Sequence, residues 1–213
     1  MRWLFVLLLI PNLAYASVGE IGKVKGSGAI ERGDESLPAV DGVGIKMEDT
    51  AVTANGKIQI DFLDDTRVDI TEHSRLFIDE FVYDPANDVG SLSIKAILGT
   101  VRYASGQIAK KYQQNVKIRT PSATIAVRGT DFIMVVDELG GSMITLLPSC
   151  DEDMQCYTGE IEVKTDAGFV ILNQAFQATQ TYHGNRPPGN PYVIGLPEDR
   201  INQLLILRKR NPY

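Results

Sequence analysis

The sequence predicts an all-β fold: a single rolled or solenoid-like domain of antiparallel strands, followed by a short C-terminal helix. Two observations lead to this prediction. Apolar and polar residues alternate in short segments between residues 17 and 183, and Gly, Asp and Asn punctuate those segments. Strands this short and this regularly spaced are typical of a sandwich, a rolled sheet or a β-solenoid. No helical period interrupts them.

A β-hairpin at residues 57–71 is the most clearly marked element. Its apolar residues fall on one face of residues 57–62 and on one face of residues 67–71, and Asp64 with Asp65 turns the chain between them. Four further pairs of alternating apolar residues each predict a strand. They are Leu76 with Ile78, Leu92 with Ile94, Val116 with Ile118, and Ile161 with Val163.

The first residues have the three parts of a secretory signal peptide. Arg2 supplies a basic start, Leu4–Ile10 is an uncharged apolar core, and Ala14-Tyr15-Ala16 has the small residues that a signal peptidase reads. The apolar core is too short for a hydrocarbon layer, which needs about 20 residues. We therefore expect residues 1–16 to be removed on export, with no transmembrane segment after cleavage. The mature protein is expected in the periplasm, secreted or at the cell surface.

The charge of the chain limits the classes of partner, and its length limits the size of the core. The formal net charge is −6, and an acidic protein of this size repels phosphate backbones, so we expect no nucleic-acid partner. After removal of the signal peptide the chain is long enough for one sizeable core.

The two cysteines, Cys150 and Cys156, flank a short polar loop. In an oxidising compartment such a pair predicts a disulfide bond. A metal or redox site is the competing interpretation. Redox pairs normally have C-x-x-C spacing and no histidine lies nearby to complete a zinc site, so the disulfide is favoured.

The composition changes after His183. Residues 184–196 are rich in Pro and Gly, as linkers are. Residues 197–213 begin with proline and acidic residues, continue with an apolar stripe and end in a basic tail, a pattern that predicts a helix. We expect this helix to dock on the β domain, with a membrane-surface helix as the alternative.

Residues that could carry chemistry are few, so we predict no enzyme and no cofactor. His73 and His183 are the only histidines, and neither has metal-ligand spacing. The common nucleophile, nucleotide and metalloprotease motifs do not occur. Two acidic loops, residues 84–88 and 151–153, offer oxygen ligands for calcium, but neither has the spacing of a known calcium loop, so we predict no metal site.

The most distinctive segment is residues 118–136. Thr120 and Pro121 are predicted to begin a strand, where the missing proline amide does least harm. Gly129 interrupts the strand and predicts a β-bulge. Arg128 lies beside it in an apolar stretch, so we expect its guanidinium to be held by a carboxylate or by backbone carbonyls. A structural bulge held by arginine is favoured over direct contact with a ligand.

Residues 120–132 resemble the central motif of FecR-type domains, usually written T-P-x-A-x-[IV]-x-V-R-G-T-x-F. The motif residues, with a structural or a recognition role, are Thr120, Pro121, Arg128, Gly129, Thr130 and Phe132. Other segments between residues 18 and 182 agree with the family in order and spacing. Among them is the Asp64-Asp65 turn, where the family often has Asp-Gly.

The resemblance implies a role in contacts between macromolecules. The best-known members of the family are periplasmic parts of iron-uptake regulators, which relay receptor occupancy to a sigma factor. We therefore expect residues 17–183 to form an exported, non-catalytic FecR-like module that contacts an envelope protein or a glycan. The alternatives are a component of a cell-surface signalling relay and a structural protein of an envelope assembly.

We predict that export is accompanied by cleavage between Ala16 and Ser17, because the small residues of the cleavage site end there. Intact-mass measurement of the exported protein checks this prediction. A membrane-bound product that retains residues 1–16 would contradict it.

Overall fold

The structure, a computed structural model, describes residues 16–112, 114–150 and 155–195. These residues form β-strands and one short helix, so the prediction of an all-β fold is confirmed. Residues 1–15 of the predicted signal peptide and the predicted C-terminal helix at residues 197–213 lie outside the described residues.

The elements follow one another in this order: β1 (Gly19–Arg32), β2 (Glu35–Pro38), β3 (Gly44–Ile45), β4 (Thr50–Phe62), β5 (Arg67–Ile70), β6 (Arg75–Asp84), β7 (Val89–Ala104), α1 (Gln107–Lys111), β8 (Val116–Arg119), β9 (Thr124–Arg128), β10 (Asp131–Val136), β11 (Ser142–Leu147), β12 (Ser149–Cys150), β13 (Cys156–Tyr157), β14 (Glu160–Thr165), β15 (Gly168–Leu172), β16 (Gln177–Thr181) and β17 (Tyr192–Val193). Fifteen strands belong to one hydrogen-bonded network, and β12 pairs with β13 separately. The main path through the network runs β15–β14–β9–β8–β7–β10–β11–β16–β17.

Two long strands change neighbours along their length, which lets the network fold over one core. The first residues of β4 pair with β6 and its last residues pair with β5. The first part of β7 pairs with β6 and β8, and its last part pairs with β5 and β10. The buried apolar side chains of the whole network form a single cluster. The sheet is therefore rolled, as the sequence predicts.

The buried face of β7 changes over in the middle of the strand. Leu92 and Ile94 are buried before the change, and Val101 and Tyr103 are buried after it, so the period of two slips by one residue. A register shift against β6 supplies the extra residue. Gly99 follows at once with a φ of +86°, a conformation that glycine adopts without strain. Both halves of β7 thereby keep their apolar side chains on the common core.

Gly99 lies against Ser74, in the turn before β6. A methyl group at Gly99 would overlap the side chain and the Cα of Ser74. The Ser74 hydroxyl accepts a hydrogen bond from the Thr100 amide at 3.0 Å, and the Ser74 amide donates to Thr53 Oγ1 at 2.9 Å. These bonds join β4, β6 and β7 at the point where β7 bends.

The predicted hairpin is present as β4 and β5. Ile58 pairs with Ile70 and Ile60 with Val68, and all four side chains are buried. Asp65 in the turn has a φ of +64°. This left-handed conformation explains physically why the FecR-type pattern often has glycine at that position.

The short helix α1 interrupts the strands, contrary to the sequence-based expectation that no helix would. Asp64 holds its first turn: the Asp64 carbonyl accepts the Gln107 amide at 2.7 Å, and the buried Asp64 carboxylate accepts the Ile108 amide at 3.1 Å. A helix of this length has no recognisable period, and its support comes from a residue far away in the sequence.

One strand pair also departs from the predicted antiparallel arrangement. The first part of β7 and β8 are parallel, with Leu92 opposite Val116 and Ile94 opposite Ile118. Parallel neighbours need a crossover connection, and the segment containing α1 provides it.

Residues 184–195, the described part of the predicted linker, lie along β16. Gly189 donates its amide to the Gln180 carbonyl at 2.8 Å and accepts the Thr179 hydroxyl at 2.6 Å. Tyr192 then pairs with Ala178 as part of β17.

We predict that Gly99→Ala lowers the free energy of unfolding by about 2–5 kcal/mol, since it adds left-handed strain to overlap with Ser74. Gly33→Ala is the matched control. Gly33 also has a positive φ, +56°, but no atom lies within 4 Å of a methyl group there, so about 1 kcal/mol is expected. Urea unfolding of both variants measures the difference, and equal losses would contradict the importance of the Ser74 contact.

Candidate interaction surface

The structure separates the FecR-like motif into two parts at opposite ends of β9. Thr120 and Pro121 lie in the turn between β8 and β9, so the prediction that they begin a strand is wrong. The Thr120 amide donates to the Ala123 carbonyl at 2.8 Å, and the Ala123 amide donates to Thr120 Oγ1 at 3.1 Å. Thr120 thus closes the turn with its own side chain, as threonine does in such turns.

A cluster of hydroxyl groups joins this turn to the far part of the sheet. Ser122 Oγ lies 3.0 Å from Ser142 Oγ and 2.8 Å from Thr181 Oγ1. Ser142 begins β11 and Thr181 ends β16, which are distant from β9 along the sheet path. The first part of the motif therefore contributes to closing the roll.

The second part of the motif forms a corner, and the predicted bulge within one strand is wrong. β9 pairs with β8 and β14, whereas β10 pairs with β7 and β11. Gly129 lies between them with a φ of +66°, which lets the chain leave one set of neighbours and join another. A bulge keeps the same partner strand, and this segment does not.

Thr130 and Phe132 are fully buried beyond the corner. The Thr130 carbonyl accepts the Ser105 hydroxyl at 2.6 Å, and Thr130 Oγ1 accepts the Gly159 amide at 3.3 Å. The Phe132 ring lies 5.3 Å from the ring of Tyr103. Both residues therefore belong to the core and its hydrogen bonds.

Arg128 is on the surface, although the apolar residues around it predict a buried charge. Its side chain is 45% exposed, and Nη1 donates to Glu160 Oε1 at 2.8 Å across the β9–β14 pair. A carboxylate partner is one of the two expected, and the side chain also reaches solvent because Arg128 falls on the solvent face of the strand. An exposed ion pair of this kind contributes about 0–1 kcal/mol.

The positions of the two cysteines, the two histidines and the acidic loop at residues 84–88 have structural explanations. Cys150 and Cys156 form a disulfide bond. His73 lies in a turn with a φ of +54°, and His183 follows β16. In the loop at residues 84–88, Asp84 accepts hydrogen bonds from Asn87. The described residues contain no group of three His, Cys, Asp or Glu side chains that could hold a metal ion, and residues 151–153 lie outside them.

The solvent face of β8, β9, β14 and β15, which we call the outer wing, is an exposed polar surface beside the second part of the motif. Its opposite face packs on the core through residues such as Ile118, Ile125 and Val163. The outer wing carries four cations and two acids, whereas the whole chain is acidic. They are Lys117, Arg119, Arg128, Lys164, Glu160 and Glu162.

Two of these cations are neutralised by neighbours and two are not. Arg128 pairs with Glu160, and Arg119 lies 3.0 Å from Asp79. The pKa of Asp79 is lowered, mainly by a hydrogen bond from Lys95. Asp79 therefore stays ionised beside Arg119. Lys117 and Lys164 have no ion pair with another described residue. Glu162 has no ion pair with another described residue either, so the outer wing keeps two unpaired cations against one unpaired acid.

Apolar side chains border this positive surface on β15. Phe169 is 61% exposed and Ile171 is 40% exposed. Neither these residues nor Lys117 and Lys164 belong to the FecR-like motif or to another site predicted from the sequence. Alternation around Val116, Ile118, Ile161 and Val163 indicates which side chains point outward, but the sequence does not show that β8, β9, β14 and β15 are neighbours.

The comparison with protein families confirms the resemblance seen in the sequence. The model of the FecR protein family matches residues 49–148. The match spans β4 to β11 and includes the whole motif, so the chain carries a FecR-type segment. β14 and β15 of the outer wing follow it. No curated protein matches the chain.

Among solved structures, two crystal structures of a proposed anti-sigma factor from Parabacteroides distasonis ATCC 8503 have a similar fold, each with a TM-score of 0.50. Sequence identity is 14% and 15%, so the similarity is one of fold. The alignments cover 72% of this chain, and this chain spans 62% of theirs. In the described residues, no helix is both long and apolar enough to cross a membrane.

We predict that Thr130 contributes more to stability than Arg128. Thr130→Val keeps the shape but leaves the Gly159 amide without its acceptor, at a cost of about 1–3 kcal/mol. Arg128→Ala removes one exposed ion pair, at a cost of about 0–1 kcal/mol. Thermal and urea unfolding of both variants checks the order, and a larger loss for Arg128→Ala would contradict it.

Proposed function

We propose that the protein is an envelope component of a cell-surface signalling relay and that it acts by contacting a protein partner, without catalysis. The outer wing is the proposed contact surface. The observation that carries this proposal is the FecR-type segment, residues 49–148, in a fold shared with a proposed anti-sigma factor. Its disulfide bond is consistent with an envelope location, where oxidising conditions preserve such bonds.

The surface chemistry supports a protein partner. Lys117 and Lys164 are exposed and unneutralised, so they can accept acidic side chains from a partner at little cost in desolvation. The apolar Phe169 and Ile171 beside them supply area that is favourable to bury. An apolar patch bordered by polar and charged side chains is the usual composition of a reversible interface.

The relay is preferred over the two other functions expected from the sequence. A general protein- or glycan-binding module would not by itself account for the similarity to an anti-sigma fold. A purely structural role in an envelope assembly would not need a charged surface that stays exposed.

We predict that a charge reversal on the outer wing, Lys117→Glu with Lys164→Glu, reproduces the transcriptional effect of deleting the gene. Both side chains are exposed and unpaired, so the variant should fold and reach normal levels while losing its partner contact. RNA sequencing of the variant, deletion and parent strains measures the effect. The same transcripts should change in the same direction in the variant and in the deletion.

The matched control reverses two exposed cations elsewhere, Lys23→Glu with Lys25→Glu on β1. This control should leave the transcripts as in the parent strain. Unchanged transcription in the deletion strain would contradict the relay, and unchanged transcription in the outer-wing variant alone, at normal protein levels, would contradict the outer wing as the contact surface. A defect confined to envelope assembly would favour the structural alternative.

A further inference from the structure

β15 is an edge strand with an unusual composition. It ends the sheet path, and in the described part of the chain β14 is its only partner. Its sequence, Gly-Phe-Val-Ile-Leu, contains neither a charge nor a proline. Proteins normally protect such edges with charged residues, proline or bulges, because an unprotected edge is a template for another strand.

The other edge strands are short or carry charges or proline. β3 has only two residues, and the part of β6 after Ile78, which among the described strands pairs with β7 alone, carries Asp79, Glu80 and Asp84. β17 has only two residues and directly follows Pro191. β2 carries Glu35 at its start and Pro38 at its end. The difference singles out β15 as the edge that is able to accept a strand.

The backbone of β15 is oriented for pairing at two residues. A two-residue turn, Asp166-Ala167, connects it to β14, with Thr165 opposite Gly168. In such a hairpin the closing pair is hydrogen-bonded within the hairpin, and the next pair along points its amides and carbonyls outward. The outward groups therefore belong to Phe169 and Ile171, whose side chains are also the exposed ones.

We propose that β15 pairs with an extended segment of the protein partner, which adds a strand to the sheet beside the outer wing. This inference rests on the proposed function and names the mode of contact. The added strand places β-branched or aromatic side chains against Phe169 and Ile171, since such cross-strand pairs stabilise sheets. It carries an acidic side chain beside Phe169, because Lys164 lies opposite Phe169 on β14 and has no ion pair with another described residue.

The size of the edge argues against a second copy of this chain as the occupant. A stable dimer of folded domains buries about 1,200–2,000 Å². Two five-residue edges joined side by side offer far less contact than that. An extended segment gains the same backbone hydrogen bonds and can also follow the surface of the outer wing.

The test uses amide hydrogen exchange in the mature protein with a synthetic peptide, Thr-Glu-Thr-Val-Thr-Val-Thr-Glu, as the probe. On one face of the extended peptide two valines lie between two glutamates, whichever direction it binds. We expect it to slow exchange of the Phe169 and Ile171 amides at least tenfold at saturation. A peptide with lysine in place of both glutamates should bind at least tenfold more weakly.

Ile171→Lys should abolish this protection, because it places a charge in the new interface while leaving the core intact. Val193→Lys on β17, a matched exposed apolar position on the opposite edge, should preserve it. Circular dichroism confirms that both variants are folded.

Three outcomes would overturn the proposal. The first is protection of both amides in the protein alone, which means that the chain covers its own edge. The second is protection that increases with protein concentration, which means pairing between copies. The third is equal binding of the two peptides. The relay is tested separately. Normal transcription in the deletion strain would contradict the relay. Normal transcription in the Ile171→Lys strain, where the deletion does change transcription, would contradict pairing of the relay partner with β15.

Discussion

The contact between Gly99 and Ser74 is the constraint on which the rolled sheet depends. β7 has neighbours in both parts of the sheet, and it must turn apolar side chains toward one core throughout its length. A strand with strict alternation cannot change neighbours at a bend and keep the same buried face. The register shift and the positive φ at Gly99 solve this, and the Ser74 hydroxyl binds the Thr100 amide on the other side of the bend. Since a side chain there would overlap Ser74, it would push the turn before β6 away from β7.

Buried polar groups hold the other bends of the chain. The Asp64 carboxylate accepts the Ile108 amide and the Thr66 hydroxyl, and so ties α1 to the β4–β5 turn. Arg32 makes two hydrogen bonds of 2.7 Å to the buried Asp49 carboxylate, and the Asp49 hydrogen bond is the main cause that raises the pKa of Arg32. Burying a carboxylate is costly unless it is fully bonded, so these residues specify the bends as well as stabilise them.

The same alternation that builds the core also builds the outer wing. Residues between the buried positions of β8, β9 and β14 point to solvent and carry the charges, as Lys117, Arg128 and Lys164 show. The motif that identifies the family is largely internal: Thr130 and Phe132 are buried, and Thr120 closes a turn. The FecR-type pattern therefore mainly records what the fold requires, while the proposed contact surface consists, apart from Arg128, of residues outside the motif.

The sequence by itself determined that the domain is all-β, and for several strands which face is buried, because alternation is a local property that Ile58, Ile60, Val68 and Ile70 display directly. It also determined the turn at Asp64-Asp65 and the pairing of the two cysteines. Only the tertiary structure decided that Gly129 is a corner, that Arg128 is exposed, that α1 is a helix and that β15 is an edge. Each of these depends on which strands are neighbours, and hydrogen bonds between residues far apart in the chain set that order.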